Sequence, residues 1–269
     1  MRPGGLVVVV PAKDEEDLVP ACLEAVITAV TGIRIPTAIV LVAHRCQDAT
    51  EAVARRAFSN LPRLVEGLVV PVATGTVATA RATGTMAGLG ELAAYGIPFE
   101  QTWLLSTDAD SVVPADWVRR YLPYLGSGAA GVTGMVRVNG WEAGPPLVSS
   151  RTSEAYRRIV TAGLHVNGHD HVYGANLAVR ADAYLEVGGW PEQVPGEDAA
   201  LIAAVRRRGF RVVSAPEVVV TTSGRTQARA PGGLGALLGR IVADHSSTPH
   251  PAGGRNARII PRQALRSRS

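Results

Sequence analysis

The 269-residue chain predicts an α/β fold with a Rossmann-like, mostly parallel sheet flanked by helices. Short apolar runs rich in β-branched residues alternate with longer segments of helical periodicity, which is the order expected for parallel strands joined by helices. The composition agrees, because 46% hydrophobic and 19% charged residues are typical of a globular protein. Several of the apolar runs end in polar clusters, and such sheets bind ligands at the carboxyl ends of their strands.

The first half of the chain carries the clearest strand and helix patterns. Strands are predicted at residues 6–10, 38–43, 68–72 and 101–106. Helices are predicted between them at residues 18–30, 49–58 and 76–95. A further short helix starts at Pro114, because proline is favoured in the first turn of a helix.

The second half has a less regular order, which predicts a mixed sheet. Strands are predicted at residues 131–138, 172–179, 211–214 and 218–222, and helices at 149–164 and 197–208. Residues 223–235, rich in glycine, read as a mobile loop. We expect one domain over residues 1–240, in two functional halves over about 1–112 and about 113–240.

The positive charge is concentrated at the end of the sequence. Five arginines and no acid fall in the last fifteen residues, and removing these five charges from the net +4 leaves −1. The body is therefore not a basic nucleic-acid binder. Residues 241–269 read as a flexible tail, with a weak peripheral contact to anionic lipid as an alternative.

Two cysteines make no disulfide framework, and the sequence shows neither a signal-peptide pattern nor an apolar run of ~20 residues. Cys22 falls in an apolar helical pattern and is expected in the core. These observations favour a cytoplasmic protein, with a membrane-peripheral location as the alternative.

Two carboxylates follow the predicted strand at residues 101–106. Asp108 and Asp110 lie one residue apart, and in extended chain residues i and i+2 point the same way. Two hard oxygen ligands that face one point suit Mg²⁺ or Mn²⁺ held together with a substrate phosphate. The alternative is a loop of solvated or capping aspartates.

Other polar residues close the first two strands. Pro11, Ala12, Asp14 and Glu15 follow the first strand, either as an acidic helix start or as part of a nucleotide site. His44 and Asp48 close the second strand, where Asp48 equally suits an N-cap.

Arg81 and the pair Glu197 and Asp198 are the remaining candidates. Arg81 lies in an apolar segment, and a buried arginine needs an anionic partner, either a structural acid or a diphosphate. Glu197 and Asp198 open a predicted helix, where acids cap the backbone amides. Asp198 also suits a general base that accepts a hydroxyl proton.

Residues 88–93 match the dinucleotide fingerprint G-x-G-x-x-A. Here the glycines interrupt a helical pattern and do not follow a strand, so the structural context of that fingerprint is missing. The match therefore does not predict a dehydrogenase.

Taken in order, these segments resemble the family 2 glycosyltransferases with the GT-A fold. The resemblance runs from about residue 6 to residue 222, with motifs at Asp14-Glu15, His44 to Asp48, Ala80-Arg81, Asp108-Ala109-Asp110, Gly174-Ala175-Asn176, Gly188-Gly189-Trp190 and Gly196-Glu197-Asp198. Two motifs depart from the family pattern. Of the usual D-x-S-x-D only Asp48 is present, and Ala82 stands where asparagine is common.

The resemblance implies a metal-dependent transfer of a sugar from a UDP- or GDP-sugar to an acceptor hydroxyl, with inversion and Asp198 as the base. Mn²⁺ or Mg²⁺ would be held by Asp110 and Asp108, with His245 as a further ligand in a retaining variant. The donor nucleotide would contact Pro11, Ala12, Asp14, Glu15, His44, Asp48, Arg81 and Asp108. The half over about 1–112 would bind the nucleotide sugar, and the half over about 113–240 would carry the acceptor and catalytic residues. The acceptor side and its loop would include Asn176, Trp190, Glu197, Arg225 and Arg229.

Two alternatives remain at this stage. A sugar-nucleotide nucleotidyltransferase would share the sheet and the aspartate pair, but it should carry a glycine-rich basic loop where residues 11–17 are acidic. A non-catalytic nucleotide-sugar binding protein would not need both Asp110 and Asp198.

Overall fold

A computed structural model describes residues 3–139, 146–192, 195–225 and 233–246, the side chains of 146–149 and 245–246 excepted. The strands are β1 (Gly5–Ala12), β2 (Thr37–His44), β3 (Val65–Val72), β4 (Thr102–Ser106), β5 (Ser111–Val112), β6 (Gly131–Asn139), β7 (Leu164–His165), β8 (Gly168–His169), β9 (Leu177–Arg180) and β10 (Val212–Ser223). The helices are α1 (Val19–Thr31), α2 (Thr50–Ala57), α3 (Val77–Ala94), α4 (Trp117–Leu125), α5 (Pro146–Ala162), α6 (Ala181–Glu186), α7 (Glu197–Arg207) and α8 (Leu234–Ser246). Short 3-10 turns cover Phe58–Asn60 and Phe99–Gln101.

Eight strands form one mixed sheet in the order β3-β2-β1-β4-β9-β6-β10-β5. The first four strands are mutually parallel, and β6 and β10 are parallel to each other. Strand β9 runs antiparallel between β4 and β6. The carboxyl ends of β1, β2, β4, β6 and β10 therefore lie at one edge, beside the amino end of β9. The predicted α/β class with a mixed second half is confirmed.

Successive side chains of a strand point to opposite faces of the sheet, and helices cover both faces. In β1, Leu6, Val8 and Val10 join the core that includes residues of α1 and α4. Val7 and Val9 join the core that includes residues of α3 and α7. Continuous apolar strands are thus explained by burial on two sides.

Helix α3 packs closely against β1 because a glycine of the helix faces the sheet. A Cβ atom on Gly88 would be 2.3 Å from Cγ1 of Val7, whereas a Cβ atom on Gly90 would meet nothing within 4 Å. Gly88 therefore serves helix-to-sheet packing, which explains one glycine of the false dinucleotide match.

The second half differs from the predicted pattern in several places, and α6 and β8 fall where no element is predicted. Strand β9 is shorter than the strand predicted at residues 172–179. A single strand, β10, replaces the two strands predicted at residues 211–214 and 218–222, and its register shifts between Ala215 and Val219. Helix α8 crosses the predicted domain boundary at residue 240 and packs against α5 through Leu238 and Ile241.

Residues 226–232 of the predicted loop and 247–269 of the predicted tail lie outside the described residues. Among the helices that the structure describes, none combines the length and the apolar character needed to cross a bilayer.

Candidate active site

The loops after β1 and β2 are bonded to each other by acidic side chains. Asp14 Oδ1 accepts from the Gln47 amide at 2.7 Å, and Glu16 Oε2 accepts from the Ala49 amide at 2.8 Å. In return, Asp48 Oδ2 accepts from the Glu16 amide at 3.0 Å. Because α1 begins only at Val19, these acids belong to the loop and not to a helix start.

Asp48 also serves the start of α2. Its Oδ1 accepts from the backbone amide of Thr50 at 3.0 Å and from the Thr50 hydroxyl at 2.5 Å. One oxygen of Asp48 therefore bonds the start of α2 and the other bonds the first loop, although the N-cap position itself is Ala49.

The other predicted nucleotide contacts lie at the same edge. Pro11 and Ala12 end β1, and the carbonyl of Ala12 accepts from the Cys46 thiol at 3.4 Å. His44 ends β2, and its Nε2 lies 3.1 Å from the carbonyl of Gly75. Burial lowers the pKa of His44, which favours a neutral ring.

Arg81 connects the two acidic pairs of the sequence. Its Nη2 lies 2.5 Å from Asp108 Oδ1, and its Nη1 lies 3.2 Å from Glu197 Oε1. The side chain is only 4% exposed, and its guanidinium stacks over the Trp190 ring at 5.2 Å. Of the two anionic partners that the sequence allows for Arg81, the structure shows carboxylates. Trp190 thus contacts Arg81 directly, and its indole donates to Thr85 at 3.3 Å.

Asp198 is oriented by backbone amides. Its Oδ2 accepts from the Gly174 amide at 2.7 Å, and its Oδ1 accepts from the Ala199 amide at 2.7 Å. A Cβ atom at Gly174 would be 2.2 Å from Nη1 of Arg81, so a larger residue there would require the Arg81 guanidinium to shift. The neighbouring Glu197 is buried, and this burial raises its pKa against the opposing effect of Arg81.

Asp110 is paired with a second arginine, Arg225. Nη2 of Arg225 lies 2.6 Å from Asp110 Oδ2 and also bonds Glu15, while Nη1 bonds Glu15 Oε2 at 3.0 Å. The other oxygen of Asp110 accepts from the Thr222 hydroxyl at 3.3 Å. Burial and the nearby Asp108 carboxylate raise the pKa of Asp110 to about 6, although Arg225 opposes the rise.

Asn176 requires a correction of the sequence-based placement. The sequence assigns it to the acceptor side, but its side chain is completely buried. Its Oδ1 accepts from Trp117 at 3.0 Å and from Tyr121 at 2.7 Å, and its Nδ2 donates to two backbone carbonyls at 2.8 Å. With every hydrogen-bonding position used by the protein, Asn176 has a structural role.

No sequence motif predicts some residues of the site, and two predicted residues lie outside the part of the chain that the structure describes. Thr222 bonds Asp110 across 112 positions of sequence, and no motif marks it. Thr50 joins the loops, since its hydroxyl accepts from the Glu15 amide at 2.8 Å. Arg229 and the side chain of His245 lie outside the described residues.

The donor set at this edge fits a divalent cation. Four carboxylates, those of Glu15, Asp108, Asp110 and Glu197, share two guanidinium groups, which leaves two formal negative charges. Hard oxygen ligands of this kind suit Mg²⁺ or Mn²⁺. Among the residues that the structure describes, one trio of candidate ligand atoms lies within 4.8 Å of one another, and it is formed by Asp14, Cys46 and Asp48.

The mixed sheet flanked by helices defines a protein of the GT-A fold class. The chain belongs to the glycosyltransferase-like family 2, whose model matches residues 3–240. It is therefore a glycosyltransferase, and the resemblance drawn from the motifs is confirmed. No curated protein sequence matches the chain significantly.

Solved structures share the fold at low sequence identity. The mannosyltransferase PcManGT from Pyrobaculum calidifontis, solved with GDP-Man and Mn²⁺, is 16% identical with a TM-score of 0.58, over 93% of this chain and 77% of that one. TarS 1-349 of S. aureus, solved with UDP-GlcNAc, is 11% identical with a TM-score of 0.57, over 90% and 66%. GalNAc-T7, solved with UDP, GalNAc and Mn²⁺, is 14% identical with a TM-score of 0.58, over 90% and 48%.

Proposed function

We propose that this chain transfers a sugar from a UDP- or GDP-sugar to an acceptor hydroxyl, with a divalent cation and with inversion at the anomeric carbon. The observation that carries the proposal is the Arg81 bridge, which holds Asp108 and Glu197 on one guanidinium. It joins the aspartate pair after β4 to the acidic pair that opens α7. Transfer needs both functions in one place, since the anomeric carbon that reacts is bonded directly to the diphosphate that leaves.

The donor nucleotide is assigned to the joined loops after β1 and β2. Asp14 and Asp48 are partly exposed there, beside Pro11, Ala12 and His44. Carboxylates accept hydrogen bonds from ribose hydroxyls and from the N–H groups of a nucleobase. The GDP-Man and UDP-GlcNAc bound to the structural neighbours support a nucleotide sugar as the donor.

The diphosphate is assigned to the centre of the edge, beside Asp108 and Asp110. These two carboxylates would hold Mn²⁺ or Mg²⁺, which supplies positive charge against the charge that builds up on the leaving diphosphate. The Mn²⁺ present in two of the neighbouring structures supports this assignment.

Asp198 is assigned as the general base. Its carboxylate is held by the amides of Gly174 and Ala199, so it presents a fixed direction to an acceptor. As the acceptor oxygen bonds to the anomeric carbon, its proton passes to Asp198. The bond from that carbon to the diphosphate oxygen breaks, and the nucleoside diphosphate leaves from the opposite face, which inverts the centre.

The substitution Asp198→Asn tests this assignment. We expect donor binding to be retained and transfer to fall by about 10²- to 10⁴-fold, because the amide cannot take the proton. Calorimetry with UDP- and GDP-sugars in Mn²⁺ measures binding, and release of nucleoside diphosphate with an acceptor panel measures turnover.

The matched control is Asp182→Asn, because Asp182 pairs locally with Arg180 at the opposite edge of the sheet. It should leave donor binding and transfer unchanged. Full transfer by Asp198→Asn would rule out the base, and heat without product from the unmodified chain would indicate a binding protein.

A further inference from the structure

The guanidinium of Arg225 lies at the centre of the acidic edge. It bonds both oxygens of Glu15 and Oδ2 of Asp110, the latter at 2.6 Å. The three side chains are far apart in sequence, since Arg225 lies 210 positions from Glu15 and 115 positions from Asp110. Glu15 is 5% exposed and Asp110 13%, so the arginine compensates two carboxylates that have little access to water.

The carboxylates are arranged around the two arginines and not around a common point. Asp108 faces Arg81 and Asp110 faces Arg225. Within the part of the chain that the structure describes, Glu15, Asp108 and Asp110 do not bring three ligand oxygens within 4.8 Å of one another. Both oxygens of Asp110 are already engaged, one by Arg225 and one by Thr222.

We propose that the Arg225 guanidinium occupies the position beside Asp110 that a metal ion would take. A divalent metal ion must then displace Arg225 from Asp110 in order to bind. This inference rests on the metal site of the proposed function. The guanidinium and the metal ion compete for the same charged oxygen, and each repels the other at such short range. Without the metal ion, Arg225 forms ion pairs with both Glu15 and Asp110. These ion pairs keep the two carboxylates close to each other and keep this edge of the sheet folded.

The experiment measures Mn²⁺ affinity directly in the full chain, without donor or acceptor, from the free Mn²⁺ signal in electron paramagnetic resonance at neutral pH. We expect Arg225→Gln to bind Mn²⁺ roughly tenfold more tightly or better than the unmodified protein, because one positive charge has left the site. The control Arg208→Gln also removes one ion-paired arginine, but its partner Glu186 lies outside the site. It should leave the Mn²⁺ affinity unchanged.

Two further variants keep the result interpretable. Adding Asp110→Asn to Arg225→Gln should cancel the gained affinity, which assigns the gain to Asp110. Arg225→Lys retains the charge and the pairing of the acids, so it should fold normally and bind Mn²⁺ with an affinity between those of the other two proteins. Circular dichroism melts confirm the fold of each variant.

The opposing results are distinct. If Arg225→Gln and Arg225→Lys bind Mn²⁺ no more tightly than the unmodified protein, displacement is wrong and Arg225 supports the bound metal ion. If no variant binds Mn²⁺, even with saturating UDP or GDP, both the metal site of the proposed function and the displacement are wrong.

Discussion

Single buried polar side chains hold neighbouring elements of the sheet together, and Asn176 is the clearest of them. It bonds the indole of Trp117 and the hydroxyl of Tyr121, and it donates to the carbonyls of Met135 and Val218. One amide thereby joins α4, β6, β10 and the start of β9. A short motif that includes an asparagine reads as a ligand contact in sequence, because the sequence does not show how many protein groups converge on it.

Replacing Asn176 by alanine should destabilise the protein by roughly 3 kcal/mol or more, since two buried donors and two buried carbonyls lose their partner. Urea denaturation followed by fluorescence measures the change. The control is Asn60→Ala, an exposed position in a 3-10 turn, which should stay within about 0.5 kcal/mol. Equal stability of the two variants would contradict the structural role of Asn176.

Among the elements, helix α3 has a sequence that matches both a helical pattern and the dinucleotide-binding fingerprint. Its glycines match a dinucleotide fingerprint, yet they lie inside a continuous helix of 18 residues. Gly88 faces β1 and β2, whereas Gly90 faces solvent. The helix can therefore approach the sheet closely and carry Arg81 to the acidic edge.

The pair of substitutions Gly88→Ala and Gly90→Ala should have opposite effects. An added methyl group at position 88 would overlap Val7. Because the helix or Val7 would have to move, this change should lower the stability of the protein by about 1–3 kcal/mol. The same change at 90 meets open space and should stabilise the helix by about 0.5–1 kcal/mol. Thermal melts of both variants measure the difference, and destabilisation of equal size at both positions would contradict the packing argument.

At the scale of the whole molecule, the two halves of the chain meet at Arg81. The side chain starts in the first half, on α3, and reaches Glu197 in the second half, 116 positions later. It also bonds Asp108 after β4. The site is therefore assembled only when both halves of the sheet have formed.

Replacing Arg81 by glutamine should lower the free energy of unfolding by roughly 3–5 kcal/mol at neutral pH, because Glu197 stays buried without its positive partner. Burial already raises the pKa of Glu197 from 4.5, and the loss of Arg81 should raise that pKa further. A protonated Glu197 is neutral and needs no partner. The stability deficit relative to the unmodified protein should therefore shrink as the pH falls through the raised pKa.

Denaturant titrations of both proteins at a series of pH values measure this deficit. The control Arg55→Gln breaks an exposed pair with Glu51 and should change stability by less than about 1 kcal/mol. A deficit for Arg81→Gln that grows as the pH falls would contradict the assigned role.

The sequence by itself determined the class of fold, the strands of the first half and the positions of the acidic motifs. These follow from local patterns, since burial on two faces demands continuous apolar strands, and parallel strands bring their carboxyl ends to one edge. Only the tertiary structure decided the partners: Arg81 with Asp108 and Glu197, Arg225 with Asp110 and Glu15, and Asn176 with the core. Those pairings join residues that are up to 210 positions apart, and whether a buried charge meets a carboxylate or a ligand depends on which side chains the packed sheet brings together.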